Sequence, residues 1–305
     1  MTHIEDKILA KDDYILAEYT TGEKIFVRDL QLAILPIMDE IHRICVKHKI
    51  PYGLVAGSAL GIYNYKGFLP WDDDIDMCVP KNDWERFMEA LKQDLDPEFY
   101  FQCFETDSRY NVLIPTMKIR RRGTYHKEVN FLLRNRCIPG DGVFVDVTIY
   151  DHISENKWVD EMYRLLIRAL VPFIVVFDNL GINPVFFKKM ATAITEHYSK
   201  VNQNSKYMSD PIIVPWVRFM RKKFFLKEDL FPFELYEFEG RQYYSYHNLK
   251  KVLVTKYGSN CLRKWDGEKW IETYKPHLRK AKHTVELNLS GEGPRPQTET
   301  MNLKE

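Results

Sequence analysis

The chain has few cysteines and no paired ones. Its five, Cys45, Cys78, Cys103, Cys137 and Cys261, are odd in number and include no CxxC spacing. That argues against a disulfide framework and against a structural zinc site of the usual pattern. Net charge is almost absent too, since 44 Lys and Arg against 43 Asp and Glu leave +1. This balance removes any global argument for nucleic-acid binding, which needs a basic surface. No apolar h-region follows Met1, so the expectation is a chain without a secretory signal in a reducing cytoplasm. Long hydrophobic runs are also missing. The longest, residues 165–177, is interrupted by Arg168 and Pro172 and is well short of the roughly 20 residues that a spanning helix needs. It reads as a buried helix that ends at Pro172 or is kinked by it. A surface touching membrane is the competing reading, supported by the basic-aromatic stretch from Trp216 to Phe225.

What remains is enough for a large core: 305 residues, 45% of them hydrophobic. Leu30, Leu32, Leu35, Met38, Ile41 and Cys45 recur at helical spacing and predict an amphipathic helix over 28–48. A short strand at 52–55 and a helix from Gly57-Ser58 to Tyr65 follow, then a loop at 66–73. Asn82 or Asp83 is placed to cap a helix over 84–92. Strands are expected at 100–104, 112–120 and 143–149, with mostly helix over 155–230. A hairpin around Glu239-Gly240-Arg241 and helices at 247–257 and 268–282 complete the pattern. A further short hairpin around Thr21-Gly22 is expected in the lead-in, and the Gly-, Pro- and Glu-rich tail from Ser290 reads as disordered.

The chemistry concentrates in Gly57-Ser58 and in Trp71-Asp72-Asp73-Asp74-Ile75-Asp76-Met77. If Asp74 and Asp76 open a strand, their carboxylates share one face. Like charges that close repel, and a hard cation such as Mg²⁺ (or Mn²⁺) relieves them while also taking substrate phosphate. Asp72 has the same parity and joins the expected metal set; Asp73 faces the other way. The backbone N–H groups at the Gly57-Ser58 helix start form an anion site. Asp146, between Val145 and Val147, is an isolated acid in an apolar strand, costly unless paired or metal-bound. It reads as a third functional carboxylate, or as the partner of an arginine in the 120–122 run. Lys66, beside Gly67, is a candidate cation for a diphosphate, or a solvated loop lysine. Lys118 and Arg120 share a strand face and suit either phosphate or the acids. Trp71 is a candidate stacking platform for a base or a cationic group, or an anchor for its loop.

These residues resemble the nucleotidyltransferase superfamily. The run from Ala56 to Gly61 and from Lys66 to Asp76 is similar to the LicD family of phosphocholine transferases, related to fukutin-type ribitol-phosphate transferases. Residues 44–52, Gly142-Val143-Phe144-Val145-Asp146-Val147 and 238–258 extend the resemblance to about two-thirds of the chain. It implies an α+β fold, a nucleotidyltransferase-like mixed sheet flanked by helices, with a mainly helical insertion and a C-terminal hairpin-helix segment. The implied organisation is a lead-in at 1–27, a catalytic core at 28–154 and a helical insertion at 155–232, acceptor- or membrane-facing. The C-terminal hairpin and helices then occupy 233–289 and the tail 290–305. The implied site has Asp74, Asp76 and Asp146 as catalytic residues, Asp72 completing the metal set, and Gly57, Ser58, Lys66, Trp71, Lys118 and Arg120 as substrate contacts. Asp151 matches a family acid and also suits a turn.

The implied reaction moves an alcohol phosphate, phosphocholine first, from a CDP-activated donor to a sugar hydroxyl of a cell-surface glycan or its lipid-linked precursor. Teichoic acid and lipopolysaccharide are the acceptor classes, and the implied enzyme is cytoplasmic or peripheral on the inner face of the membrane. The chain departs from the pattern at Ile62-Tyr63-Asn64-Tyr65, where relatives carry an arginine, and at Val147-Thr148-Ile149-Tyr150-Asp151. Asp72-Asp73-Asp74 alone also fits the Asp-X-Asp motif of a metal-dependent glycosyltransferase. Nucleotide addition to a small hydroxyl compound and a non-catalytic glycan-binding relative are the other readings.

Overall fold

The computed structural model describes residues 15–18, 24–70, 72–103, 106, 117–128, 142–180, 182–210, 224–262 and 284–289. The expected turn at Thr21-Gly22, the helix at 268–282, the tail and Trp71 lie outside these residues.

Strands β1 (Ile15–Glu18) and β2 (Lys24–Phe26) pair antiparallel and lead into helix α1 (Val27–His48). The Asp29 carboxylate accepts the Phe26 N–H at 2.7 Å and so occupies one of the donors left over at the helix start. Strand β3 (Gly53–Leu54), helix α2 (Ala56–Tyr65) and strand β4 (Asp76–Pro80) follow. A short 3-10 turn, Lys81–Asp83, precedes α3 (Trp84–Asp94). Asp83 makes no cap there; its carboxylate pairs with Arg86 instead.

Strands β5 (Phe99–Gln102), β6 (Met117–Arg121), β7 (Tyr125–Glu128) and β8 (Phe144–His152) come next. Then come helices α4 (Lys157–Asn179) and α5 (Val185–Val201), and α4 runs through Pro172 rather than ending at it. The described residues of 155–230 are mostly helical, as expected. Strands β9 (Tyr207–Ser209) and β10 (Phe225–Leu226) return to the sheet before the short helix α6 (Lys227–Leu230). The hairpin forms as β11 (Glu234–Phe238) and β12 (Arg241–Ser245), turning at Glu239 and Gly240, both at positive φ. Such a turn matches strand twist, and glycine adopts it without a Cβ penalty. Helix α7 (Leu249–Tyr257), a 3-10 turn at Ser259–Leu262 and strand β13 (Thr284–Asn288) complete the described elements, and β13 pairs with β7.

The class is α+β, built on a mixed open sheet in the order β10-β9-β8-β4-β3-β12-β11. β8 is the axis of this sheet. One edge pairs in parallel with β4, and the other pairs antiparallel with β6 along its first half and β9 along its second. Met77, Val79, Val145 and Val147 enter the main core, to which α1 and α3 contribute their apolar faces. A second apolar cluster, built on Tyr163, Ile167, Leu170, Ile174 and Tyr198, joins α4 to α5. Among the described residues no helix is long and apolar enough to cross a membrane.

Candidate active site

The parallel register of β4 and β8 sets Asp76 directly beside Asp146. The antiparallel register of β6 and β8 sets Lys118 on the other side of Asp146. Register partners point to one face of a sheet, so two carboxylates and an ammonium form a row across three strands. Lys118, 1% exposed, donates to Asp146 Oδ1 at 2.7 Å. Its ammonium also sits 3.3 Å from the centre of the Phe144 ring, a cation–π contact. The partner of Asp146 is therefore Lys118 and not an arginine of the 120–122 run. Arg120 is buried in protein contacts, donating to Gln102 at 2.6 Å and to the Gly142 carbonyl at 2.8 Å.

The acidic loop differs from the expected strand. β4 begins at Asp76, so the two-residue alternation does not reach Asp72, Asp73 or Asp74. The three bend together instead, and one carboxylate oxygen of each lies within 4.8 Å of the others. Asp73, expected to face away, is part of this group. Asp74 feels all of it: burial first, then the charges of Asp76, Asp72, Asp73 and Asp146, push its carboxyl well above the usual range. Five carboxylates thus converge where β4 leaves the loop.

Ser58 and Gly57 couple this cluster to the start of α2. Ser58 is buried and its hydroxyl accepts the Asp76 N–H at 3.0 Å, which leaves the hydroxyl proton to donate. The Val55 N–H bonds the Asp76 carbonyl at 2.9 Å, and Ala56 takes φ +50° at the strand-to-helix corner. A non-glycine residue there is strained by about 1–2 kcal/mol, and such strain concentrates at functional turns. A Cβ on Gly57 would stand 2.5 Å from Asp72 Oδ2. We expect Gly57→Ala to displace Asp72 and cut turnover by on the order of 10²-fold, with a small change in Tm. An equally large loss of Tm would mean that the glycine serves folding only.

Lys66 ends α2 in the left-handed conformation, and its exposed ammonium pairs with Glu237 at 2.8 Å. Asp151 lies within β8, where its carboxylate accepts the His152 N–H at 2.7 Å and burial raises its pKa. Gln31 is a positioning residue that sequence reasoning missed. Buried on α1, it donates to the carbonyls of Leu69 at 3.1 Å and Asp72 at 2.9 Å and so holds the acidic loop. The signal was present, since Gln31 interrupts the apolar face formed by Val27, Leu30, Ile34 and Leu35.

The start of α2 thus opens over a carboxylate strand, with a third acid on the neighbouring strand. Residues 49–168 match the family described as LicD/FKTN/FKRP, nucleotidyltransferase domain. The lipopolysaccharide cholinephosphotransferase LicD of Haemophilus influenzae is 32% identical over 138 residues, 44% of this chain and 48% of that protein. Two uncharacterized rickettsial proteins match over 62 residues. The one from Rickettsia typhi is 31% identical, covering 20% of each chain, and the one from Rickettsia prowazekii is 29% identical, covering 20% of this chain and 23% of its own. The chain spans about half the length of the first relative and less of the other two.

Proposed function

We propose that the chain transfers an alcohol phosphate, phosphocholine first, from a CDP-activated donor to a sugar hydroxyl of a cell-surface glycan or its lipid-linked precursor. The observation that carries this reading is the convergence of Asp72, Asp73, Asp74, Asp76 and Asp146 at the opening of α2. The similarity to a lipopolysaccharide cholinephosphotransferase supports the group transferred and the class of acceptor.

The donor set is all carboxylate oxygen, which suits a hard divalent cation such as Mg²⁺ or Mn²⁺. Asp72, Asp73 and Asp74 would hold it, with Asp76 and Asp146 beside them. When bound, the ion neutralises the donor diphosphate and polarises its phosphorus. The backbone N–H groups at the start of α2 and the Ser58 hydroxyl bind phosphate oxygens. Lys118 holds Asp146 in position beside Asp76. The acceptor oxygen forms a bond to the phosphorus that carries the alcohol, the bond from that phosphorus to CMP breaks, and Asp146 takes the hydroxyl proton. Positioning and charge neutralisation supply most of the rate. The enzyme works on the cytoplasmic side, where CDP-activated donors are made available to it.

The test is CMP release from CDP-choline with candidate glycan acceptors, with and without Mg²⁺. Metal-dependent release is expected. Release of UDP from a sugar nucleotide would turn the reading toward the Asp-X-Asp glycosyltransferase, whose short motif is Asp72-Asp73-Asp74. Metal binding without CMP release would set choline aside and bring CDP-ribitol and CDP-glycerol forward.

A further inference from the structure

The apolar run at 165–177 was expected to be buried, and only half of it is. Ile167, Leu170, Val171 and Ile174 pack toward α5, while the opposite face of α4 is open. From 158 to 176 every exposed position of the helix is apolar. Trp158, Met162, Leu166, Phe173, Val176 and Leu180 mark the stripe at helical spacing, with Trp158 79% exposed. It continues over the turn into α5 at Ile182, Val185 and Phe186, the last 72% exposed. The stripe is about 33 Å long at 1.5 Å per residue. With aromatic rings offering about 150–250 Å² each, it exposes roughly 1,000 Å² of apolar surface, beyond the patches of about 300–600 Å² typical of monomers.

We propose that this face of α4, with the turn into α5, lies in the headgroup boundary of an anionic bilayer. Two observations choose lipid over a protein partner. Protein interfaces carry about one hydrogen bond per 100–200 Å², and among the exposed side chains of α4 from 158 to 176 only the Trp158 indole N–H can make one. Hydrocarbon asks for none, and a tryptophan at the end of such a face suits the water boundary. The charges around it also complement anionic lipid. Glu155, Glu161 and Glu196 are taken up by Lys206, Arg168 and Lys81. Lys157, Lys189 and Lys200 are exposed and have no acidic partner among the described residues. The helix lies on the membrane and does not span it, because its other face carries Asp160 and Arg164, paired at 2.7 Å. This inference stands on the surface alone and does not need the transferase reading.

The test is sedimentation of the full chain with vesicles of equal parts phosphatidylglycerol and phosphatidylcholine. Binding is expected, together with a blue shift of tryptophan emission that Trp158→Phe removes. Leu166→Glu combined with Val176→Glu, both at exposed positions, should weaken partition at least tenfold with Tm unchanged. Lys189→Glu with Lys200→Glu should reduce binding to these vesicles more than to pure phosphatidylcholine. Asp74→Asn should bind vesicles as the wild type does, so this inference and the transferase reading fail separately. No vesicle binding, or equal binding by the Leu166/Val176 variant, overturns the proposal. A dimer in sedimentation that this variant breaks, in a protein that ignores vesicles, assigns the face to a second copy and overturns it too.

Discussion

Lys118→Met will destabilise the metal-free protein by about 3–5 kcal/mol, the usual cost of leaving one partner of a buried ion pair behind. Lys118 is the buried cation that bonds Asp146, and the substitution keeps its volume while removing its charge. Asp146 would then lose its bonded ammonium while standing beside Asp76 and near Asp74. At about 2–4 °C per kcal/mol for a chain of this size, Tm should fall by on the order of 10 °C. Adding Asp146→Asn to the variant should recover much of the loss, since the neutral amide removes the orphaned charge. Millimolar Mg²⁺ should raise Tm more in Lys118→Met than in the wild type, because the ion takes over the neutralising role. Additive losses in the double variant would show that Lys118 supports packing against Phe144 and does not act through Asp146.

Asp74→Asn should do the reverse to stability while ending activity. Its carboxyl is held well above the usual range by burial and by four neighbouring carboxylates. A group whose proton affinity is higher folded than unfolded stabilises the fold below its unfolded pKa, about 3.9. It loses that contribution as pH rises through the folded value. The metal-free wild type should therefore lose stability relative to Asp74→Asn as pH rises from about 4 toward neutrality. Asp94 and Glu40, whose pKa values are lowered by Lys47 and by Arg43, act with the opposite sign. They are common to both proteins and cancel in the difference. At neutral pH the variant should melt higher than the metal-free wild type and gain nothing from Mg²⁺. Its CMP release should be lower by at least about 10²-fold. A variant that melts lower than the metal-free wild type, at neutral pH, would contradict the crowding of charge on which the site rests.

Much of this was legible because local rules agreed with one another. The apolar spacing from Leu30 to Cys45 gave α1 nearly to its ends, and Glu239-Gly240 marked the hairpin turn. Asp146 stood out as an acid in an apolar strand, and its neighbour in register proved to be Asp76. One expectation was overturned for a physical reason. Alternation applies only inside a strand, and β4 starts two residues after Asp74, so Asp73 was turned the wrong way. Lys66 and Lys118 look alike in sequence, but one pairs with Glu237 at the surface and the other with Asp146 in the interior. Only tertiary pairing separates them. For the run at 165–177 burial and a membrane-touching surface both stood open, because an apolar residue reads the same whether it meets a core or a bilayer. The expected stacking role of Trp71 and the helix at 268–282 fall outside the described residues.

The central claim is that these carboxylates serve transfer of an alcohol phosphate to a sugar. It is tested most directly by the mass of the acceptor after incubation with CDP-choline and Mg²⁺. The acceptor should be heavier by one phosphocholine for each CMP released, with neither change in Asp74→Asn. An acceptor that gains a sugar from a sugar nucleotide, or CMP released with the acceptor mass unchanged, would contradict it.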